Sequence, residues 1–562
     1  MSNANVGGYI SKIVFNNGQT VDITQNDIIL FVGPNNAGKS QSLDDIYRLC
    51  ERKPNGIVIR DVEILKHEGS VLSLLEKVAK RNRDRTYLSY SFLDLDIAVD
   101  KGSDMAFQRE DVYGRYRNLF VANLNASQRL LACFPPNNIP RDSKRDHPIQ
   151  YAAFEPTYRK WLSKCFKKAF GSELIPNTQF GGSIPLCIGE PVKLNQEFGD
   201  EQERQEAYAN ILAQYKQVHN QGDGIKSFTG IILYLMMKHY CTYLIDEPEA
   251  FLHPPQARIL GQIIGETLSG QQQAFISTHS DEIIKGLFET CPDRLKIIRI
   301  TREDDINYFS ILSNADIVKV WGDPLLRHSN ILSSLFHKNV VLCESDSDCQ
   351  MYSIIDNHLK QKQGKYSETL FIHCGGKQRM AKVVTALRSL NVDVKLIPDM
   401  DVLNDEGVFR AIVESFGIAW DEIKDDYKIF VSHLHSPRDT IKREDAKSSI
   451  ISILDESTDT ILSKDELKKL QETLKTTSKW ENIKKMGISA IPAGDSRAAF
   501  DRLNTILKDN GIHLVPVGEL ECFVKTIGNH GPRWVNEVLE SYPDFDDLAY
   551  LEIRSFILGI DL

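Results

Sequence analysis

The sequence has no apolar run that approaches the length of a membrane span,. Its first residues lack the charged-then-apolar layout of a secretory leader,. It also has no C-x-x-C pair. Ten cysteines lie scattered along 562 residues, which predicts reduced thiols in a cytoplasmic protein rather than a disulfide framework or a zinc site,. Repeats and sustained heptads are missing too, so solenoids and long coiled coils are set aside,. Positive charge is short: 67 Lys and Arg stand against 77 Asp and Glu, a formal net charge of -10. That excludes a protein coating nucleic acid by bulk charge, while leaving local basic patches open. What remains is ordinary for globular domains, with 42% hydrophobic and 26% charged residues and a length suited to two or three cores,.

The most informative stretch is Phe31 to Ser40, FVGPNNAGKS. A short, mainly apolar run, Asp27 to Val32, predicts a buried strand, and Gly33-Pro34-Asn35-Asn36-Ala37-Gly38-Lys39-Ser40 follows as a complete G-x-x-x-x-G-K-[ST],. Leu43, Ile46, Tyr47, Leu49 and Cys50 then recur at helical spacing. Glycines at 33 and 38 let backbone N–H groups, with Asn36 among them, face phosphate oxygens. The new helix adds its dipole, Lys39 reaches the β/γ-phosphates, and Ser40 is a Mg²⁺ ligand. This is a nucleotide site, and the family resemblance given below implies ATP as its nucleotide.

Upstream, Gly8–Phe15 and Gln19–Ile23 read as two strands around an Asn-Gly turn,. Residues 52–220 read as mixed and mostly helical. Two basic clusters lie there: Lys77, Lys80, Arg81, Arg83 and Arg85, then Arg159, Lys160, Lys164, Lys167 and Lys168 among aromatics. A DNA-contacting face is one reading. A solvated helix face over an aromatic core is the other, and the preferred one.

A strand over Tyr240–Ile245 ends in Asp246-Glu247-Pro248-Glu249, placing Asp246 to hold Mg²⁺ and Glu247 to polarise the attacking water,. A second strand, Ala274–Ser277, ends in Thr278-His279-Ser280, with His279 a γ-phosphate contact. These residues resemble the ABC-type ATPases in their repair and SMC/RecF-like branch. The resemblance implies that Asn220 to Ser227 holds the signature, with Gly222 and Gly224 as its glycine pair and Gln221 where serine is usual. It gives Asp246, Glu247 and His279 the Walker B, catalytic and switch roles. It also implies at least a homodimer, because the signature of one subunit completes the site of another. No Q-loop glutamine is placed.

A second α/β unit begins near Asn339. Glu344 ends the predicted strand Val340–Cys343, and Asp348 follows where a helix should start. The strand Leu370–Cys374 closes on Gly375-Gly376-Lys377, and Val394–Ile397 runs into Pro398-Asp399-Met400-Asp401. In an extended segment Asp399 and Asp401 point the same way. With Glu344 they make a hard-oxygen cluster suited to Mg²⁺ or Mn²⁺ and to phosphodiester chemistry.

The order Glu344, Asp348, Gly-Gly, Asp399-x-Asp401 resembles the Toprim domain, and an ABC-type ATPase followed by Toprim resembles the OLD (overcoming lysogenization defect) family of nucleases. The resemblance implies an α/β chain: an ABC-type P-loop ATPase over 1–335 with a helical insertion at about 52–220, then a Rossmann-like Toprim domain over 336–562. It places Glu519 and Glu521, in Val515-Pro516-Val517-Gly518-Glu519-Leu520-Glu521, near a second metal,. It implies DNA as substrate, no membrane, and an anti-phage role with a reverse transcriptase and its small nucleic acid, or a helicase. One departure stands out: Gly528-Asn529-His530-Gly531-Pro532-Arg533 has no lysine where some members carry one, leaving His530, Arg533 or Lys525 as substitutes. The block at about 437–490 reads as an inserted, solvated helical decoration. The competing function is a DNA-bound ATPase sensor or scaffold whose Toprim half is catalytically weak.

Overall fold

The computed structural model describes residues 6–52, 56–82, 86–92, 95–100, 102–194, 200–268, 270–312, 318, 323, 331–432, 434, 443–455, 461–474 and 479–562. Two compact units divide the chain, Met1–Gly322 and Asp323–Leu562.

The N-terminal unit is built on a six-stranded sheet. Its spatial order is Ile306–Leu312, Leu295–Glu303, Ile28–Val32, Gln273–Ser277, Thr242–Asp246 and Val121–Leu124. All pairs are parallel except the hairpin Leu295–Glu303 with Ile306–Leu312. Ile28 to Val32 is fully buried, as its unbroken apolar run requires of a strand covered on both faces,. Register pairs Phe31 with Ser277 and Ser277 with Asp246, so the phosphate loop, Thr278-His279 and Asp246-Glu247 leave the sheet at one edge. That edge, outside the carboxyl ends of parallel strands, is where α/β sheets bind ligands.

The Asn-Gly hairpin forms as Gly7–Phe15 with Thr20–Asp22, turning at Gly18 with φ 84°. The segment 52–220 is less helical than expected: besides helices and two three-stranded sheets of its own, it supplies the edge strand Val121–Leu124 and the strand Ile59–His67, paired to Gly7–Phe15. Both pair through long-range contacts that local periodicity does not encode. In the helix Pro156–Phe170, Leu162 and Phe166 are buried while Lys160, Lys164, Lys167 and Lys168 are exposed. Lys167 pairs with Glu173 at 2.8 Å and Lys168 with Glu266 at 3.5 Å, the arrangement of a solvated face. Arg83 and Arg85 lie outside the described residues.

The C-terminal unit carries a three-stranded parallel sheet, ordered Thr369–His373, Asn339–Cys343, Val394–Ile397. A parallel bridge from Leu396 to Ile512 continues it. Its apolar core gathers Val341, Tyr352, Trp534 and Tyr550, so the chain's last helices pack onto the first strand and helix of the unit. Among the described residues no helix is long and apolar enough to cross a membrane, and all ten cysteines are free thiols, nine of them buried.

Candidate functional site

In the N-terminal unit the expected phosphate loop joins strand Ile28–Val32 to helix Lys39–Leu49. Gly33 has φ 145°, and a Cβ there would lie 2.0 Å from the Ile300 carbonyl oxygen, so only glycine fits,. Asn36 and Gly38 take φ 59° and 98°. The loop is braced from outside: the Asn307 side chain donates to the Ala37 carbonyl at 2.8 Å and accepts from Asn16 at 2.9 Å. A cavity of about 680 Å³ opens here, walled by Asn36, Gly38, Lys39, Ser40, Glu247 and His279. Lys39 Nζ donates to the Gly33 and Pro34 carbonyls at 2.9 and 2.7 Å. Burial lowers its pKa to about 8, against the pull of Glu247, Glu249 and Asp246.

Glu247 sits at φ 43°, a sparsely populated conformation for a non-glycine residue and one that concentrates at functional sites,. Its N–H donates to the Ser277 carbonyl at 3.0 Å, and its carboxylate lies 4.0 Å from His279 Nε2. Burial, then Lys39, lowers the His279 pKa to about 4, so the ring is neutral near pH 7. Asp246 accepts from the Ser277 hydroxyl at the sheet edge. Two residues missed by motif reading support this corner. Glu249 accepts from the His279 N–H at 2.6 Å, and Arg129, 0% exposed, donates to the Asp246 carbonyl at 2.5 Å. Arg129 lies more than a hundred residues before Asp246, so no spacing signal exposes it.

Gly222 and Gly224 do not wall this cavity. Gly222 caps the helix Asp223–Leu235 and is exposed, while a Cβ on Gly224 would meet the Phe251 carbonyl at 2.4 Å. Gly224 therefore has a packing reason of its own.

In the C-terminal unit the expected carboxylates converge. Glu344 ends strand Asn339–Cys343. Asp348 is the third residue of helix Asp346–Lys362, where it forms a capping box with Ser345 and accepts from its N–H at 2.8 Å,. One of its oxygens is thereby committed. Asp399 and Asp401 do not lie in an extended segment: Asp399 caps a 3-10 turn over Met400–Asn404 that contains Asp401. Hydrogen bonding of the Met400 N–H to the Gly518 carbonyl, 2.9 Å, accompanies the turn. The two carboxylates still reach one cluster, by that turn and not by alternation.

The electrostatics report the crowding. Burial, then Asp401 and Asp348, pushes the Glu344 carboxyl above its ordinary value, against Lys377. Burial, then Asp348, Glu344, Asp401 and Glu519, pushes Asp399 well above. Burial likewise raises Asp348, with Glu521 adding to it against hydrogen bonds from Ser345. Buried oxygens of Glu344 (Oε2) and Asp401 (Oδ1) have no protein partner. Orphaned hard-oxygen donors under mutual repulsion fit a Mg²⁺- or Mn²⁺-class ion.

Glu519 and Glu521 arrive on the loop after Gly518, and with His530 they place donor atoms within 4.8 Å of one another. His530 Nδ1 stands 3.6 Å from Glu521, while Lys525 and Arg533 are exposed. The cations that enter the cluster were not anticipated. Lys377 lies 3.0 Å from Asp401, and Lys484 lies 3.1 Å from Glu519. Lys377 was visible in Gly-Gly-Lys. Lys484 comes from the supposed decoration, whose helix Lys479–Met486 in fact buries Trp480 and Ile483. A decoration does not bury a tryptophan.

Two family models match the chain. Residues 193–285 match "AAA domain, putative AbiEii toxin, Type IV TA system", and residues 335–401 match "Overcoming lysogenization defect protein-like, TOPRIM domain". No curated protein matches significantly. Similar solved structures include an SMC head bound to the C-winged helix domain of ScpA, 15% identical over 55% of this chain and 99% of that one, TM-score 0.34. The Pyrococcus furiosus Smc head with the C-terminal domain of ScpA is 14% identical over 56% and 99%, TM-score 0.31. The Thermotoga maritima SMC head domain is 15% identical over 55% and 97%, TM-score 0.29. The two family matches and the site geometry agree on the organisation of the chain: a P-loop ATPase-type unit is followed by a domain similar to the OLD-like Toprim model.

Proposed function

We propose that the protein is an ATP-regulated, divalent-metal-dependent DNA endonuclease or nickase. In the ATPase unit Lys39 and the loop N–H groups hold the phosphates, and Ser40 and Asp246 would hold Mg²⁺. The Glu247 carboxylate takes a proton from the attacking water, and neutral His279 beside it orients the γ-phosphate. Exposed Gly222 supports the reading that the signature helix serves a second copy, making the working unit a homodimer.

In the Toprim unit Glu344, Asp348, Asp399 and Asp401 would hold one ion, and Glu519 and Glu521 a second. Bound there, such ions activate water and stabilise the leaving oxygen of a phosphodiester. The observation that carries this reading is the pair of buried, partnerless oxygens on Glu344 and Asp401. An effector role in anti-phage defence, with a reverse transcriptase or helicase encoded nearby, extends the same reading. The sensor or scaffold alternative draws support from Lys377 and Lys484, which neutralise part of the cluster.

Cleavage of supercoiled and linear DNA with Mg²⁺ or Mn²⁺, with and without ATP, decides between them. Wild type is expected to cut, Glu344→Ala and Asp399→Ala to lose cutting while hydrolysing ATP, and Lys39→Ala to reveal what ATP controls. Cutting by Asp399→Ala at the wild-type rate sinks the nuclease reading.

A further inference from the structure

The acidic cluster of the Toprim unit is closed on one side by a helix from the inserted segment. Trp480 and Ile483, 8% and 0% exposed, root the helix Lys479–Met486 in the unit's core. Backbone contacts then pin its end onto the acidic loop. Ile488 N–H donates to the Pro516 carbonyl at 2.9 Å. A Cβ on Gly487 would lie 1.9 Å from that same oxygen, and a Cβ on Gly518 2.1 Å from the Lys484 carbonyl oxygen. Two glycines thus let two backbones touch on either side of the residues leading to Glu519. From this anchored turn the Lys484 ammonium reaches Glu519 Oε2 at 3.1 Å. Glu519 is itself only 9% exposed.

An incidental surface ion pair joins two mobile side chains and contributes about 1 kcal/mol or less. Here one partner is nearly buried and the backbone carrying the other has no room to shift. Lys377 makes the matching contact on Asp401. We propose that Lys484 is a positioning residue of the acidic site. It holds Glu519 in place and stations a positive charge where a DNA phosphate arrives, competing with a divalent cation for that carboxylate. The inference deepens the nuclease reading and rests on it.

The test separates the two. Mn²⁺ is titrated into the full-length protein without DNA or nucleotide and followed by electron paramagnetic resonance. Lys484→Met, which frees a carboxylate oxygen and removes a positive charge, is expected to bind Mn²⁺ about threefold or more tightly than wild type. Lys484→Arg should match wild type. In Mn²⁺-dependent cleavage Lys484→Met should lower kcat about tenfold with little change in KM for DNA, and Lys484→Arg should restore most of it. Unchanged Mn²⁺ binding by Lys484→Met, or cleavage at the wild-type rate, overturns the proposal. If wild type never cuts DNA, the nuclease reading fails on its own, and the Mn²⁺ titration still decides whether Lys484 holds Glu519.

Discussion

Glu247 and His513 show how single residues carry testable consequences. Glu247 is the first residue after Asp246, in a strained backbone conformation on the cavity wall. Glu247→Gln keeps its shape and removes its basicity. We expect ATP turnover to fall about 10²- to 10⁴-fold, the usual range for losing a general base, with nucleotide affinity preserved. Turnover near the wild-type rate would move the base elsewhere. His513 is 7% exposed, and burial, then Lys395 and Lys508, lowers its pKa to about 4. Unfolded histidine titrates near about 6.5, so the folded chain refuses a proton that the unfolded chain accepts. The resulting stability is full above that pH and is lost as pH falls toward 4, at about 1.4 kcal/mol per pH unit for one group. The buried carboxylates near Asp399 are shifted upward and work in the opposite sense. Melting curves of wild type and His513→Gln between pH 7 and 5 should therefore be read as a difference. Wild type should lose more stability on acidification than the variant, and parallel curves would refute the assignment.

At the scale of elements, the loop from Val515 to Glu521 and the helix Lys479–Met486 behave as one part. Gly518 has φ 108° and backs directly on the Lys484 carbonyl. Gly518→Ala adds a methyl where none fits, at a cost of about 1–3 kcal/mol. For a unit of this size that lowers the melting temperature by about 4–8 °C if the cost is about 2 kcal/mol. A thermal scan showing no loss would mean that the helix is not pinned there. This contact also marks where sequence reading stops. The phosphate loop, the Asp246 strand, the Glu344 strand and the helix start at Asp348 were legible because each is written within about ten residues of chain. The 3-10 turn that brings Asp401 to Asp399 was not, since a D-x-D after an apolar run looks extended until Gly518 hydrogen-bonds into it. Lys484 and Arg129 were invisible for a plainer reason. Their partners, Glu519 and Asp246, lie far along the chain, and an isolated cation in a helical pattern reads as solvated. Glycine was the clue available: Gly487 and Gly518 each sit where a backbone must approach closely.

For the whole molecule, the decisive question is whether the helix Asp223–Leu235, the proposed signature helix, works in trans. The two glycines at its start separate packing from function. Gly224 is required by the Phe251 carbonyl, so its loss would damage the fold and tell nothing about assembly. Gly222 is exposed, at φ -61°, and a Cβ there meets nothing within 4 Å. The chain leaves room for a Cβ at this exposed position, so a defect in a folded Gly222→Asp variant must come from something that approaches it. A negative charge facing a nucleotide triphosphate is repelled, so Gly222→Asp should leave melting temperature and ATP binding near wild type. Sedimentation of Glu247→Gln, which retains ATP, is expected to show an ATP-dependent rise from the 63.8 kDa chain to a mass of at least two chains. Adding Gly222→Asp should abolish that rise. Should the double variant assemble as its parent does, the helix start touches no second nucleotide, and the two ATP sites must be complete within their own chains.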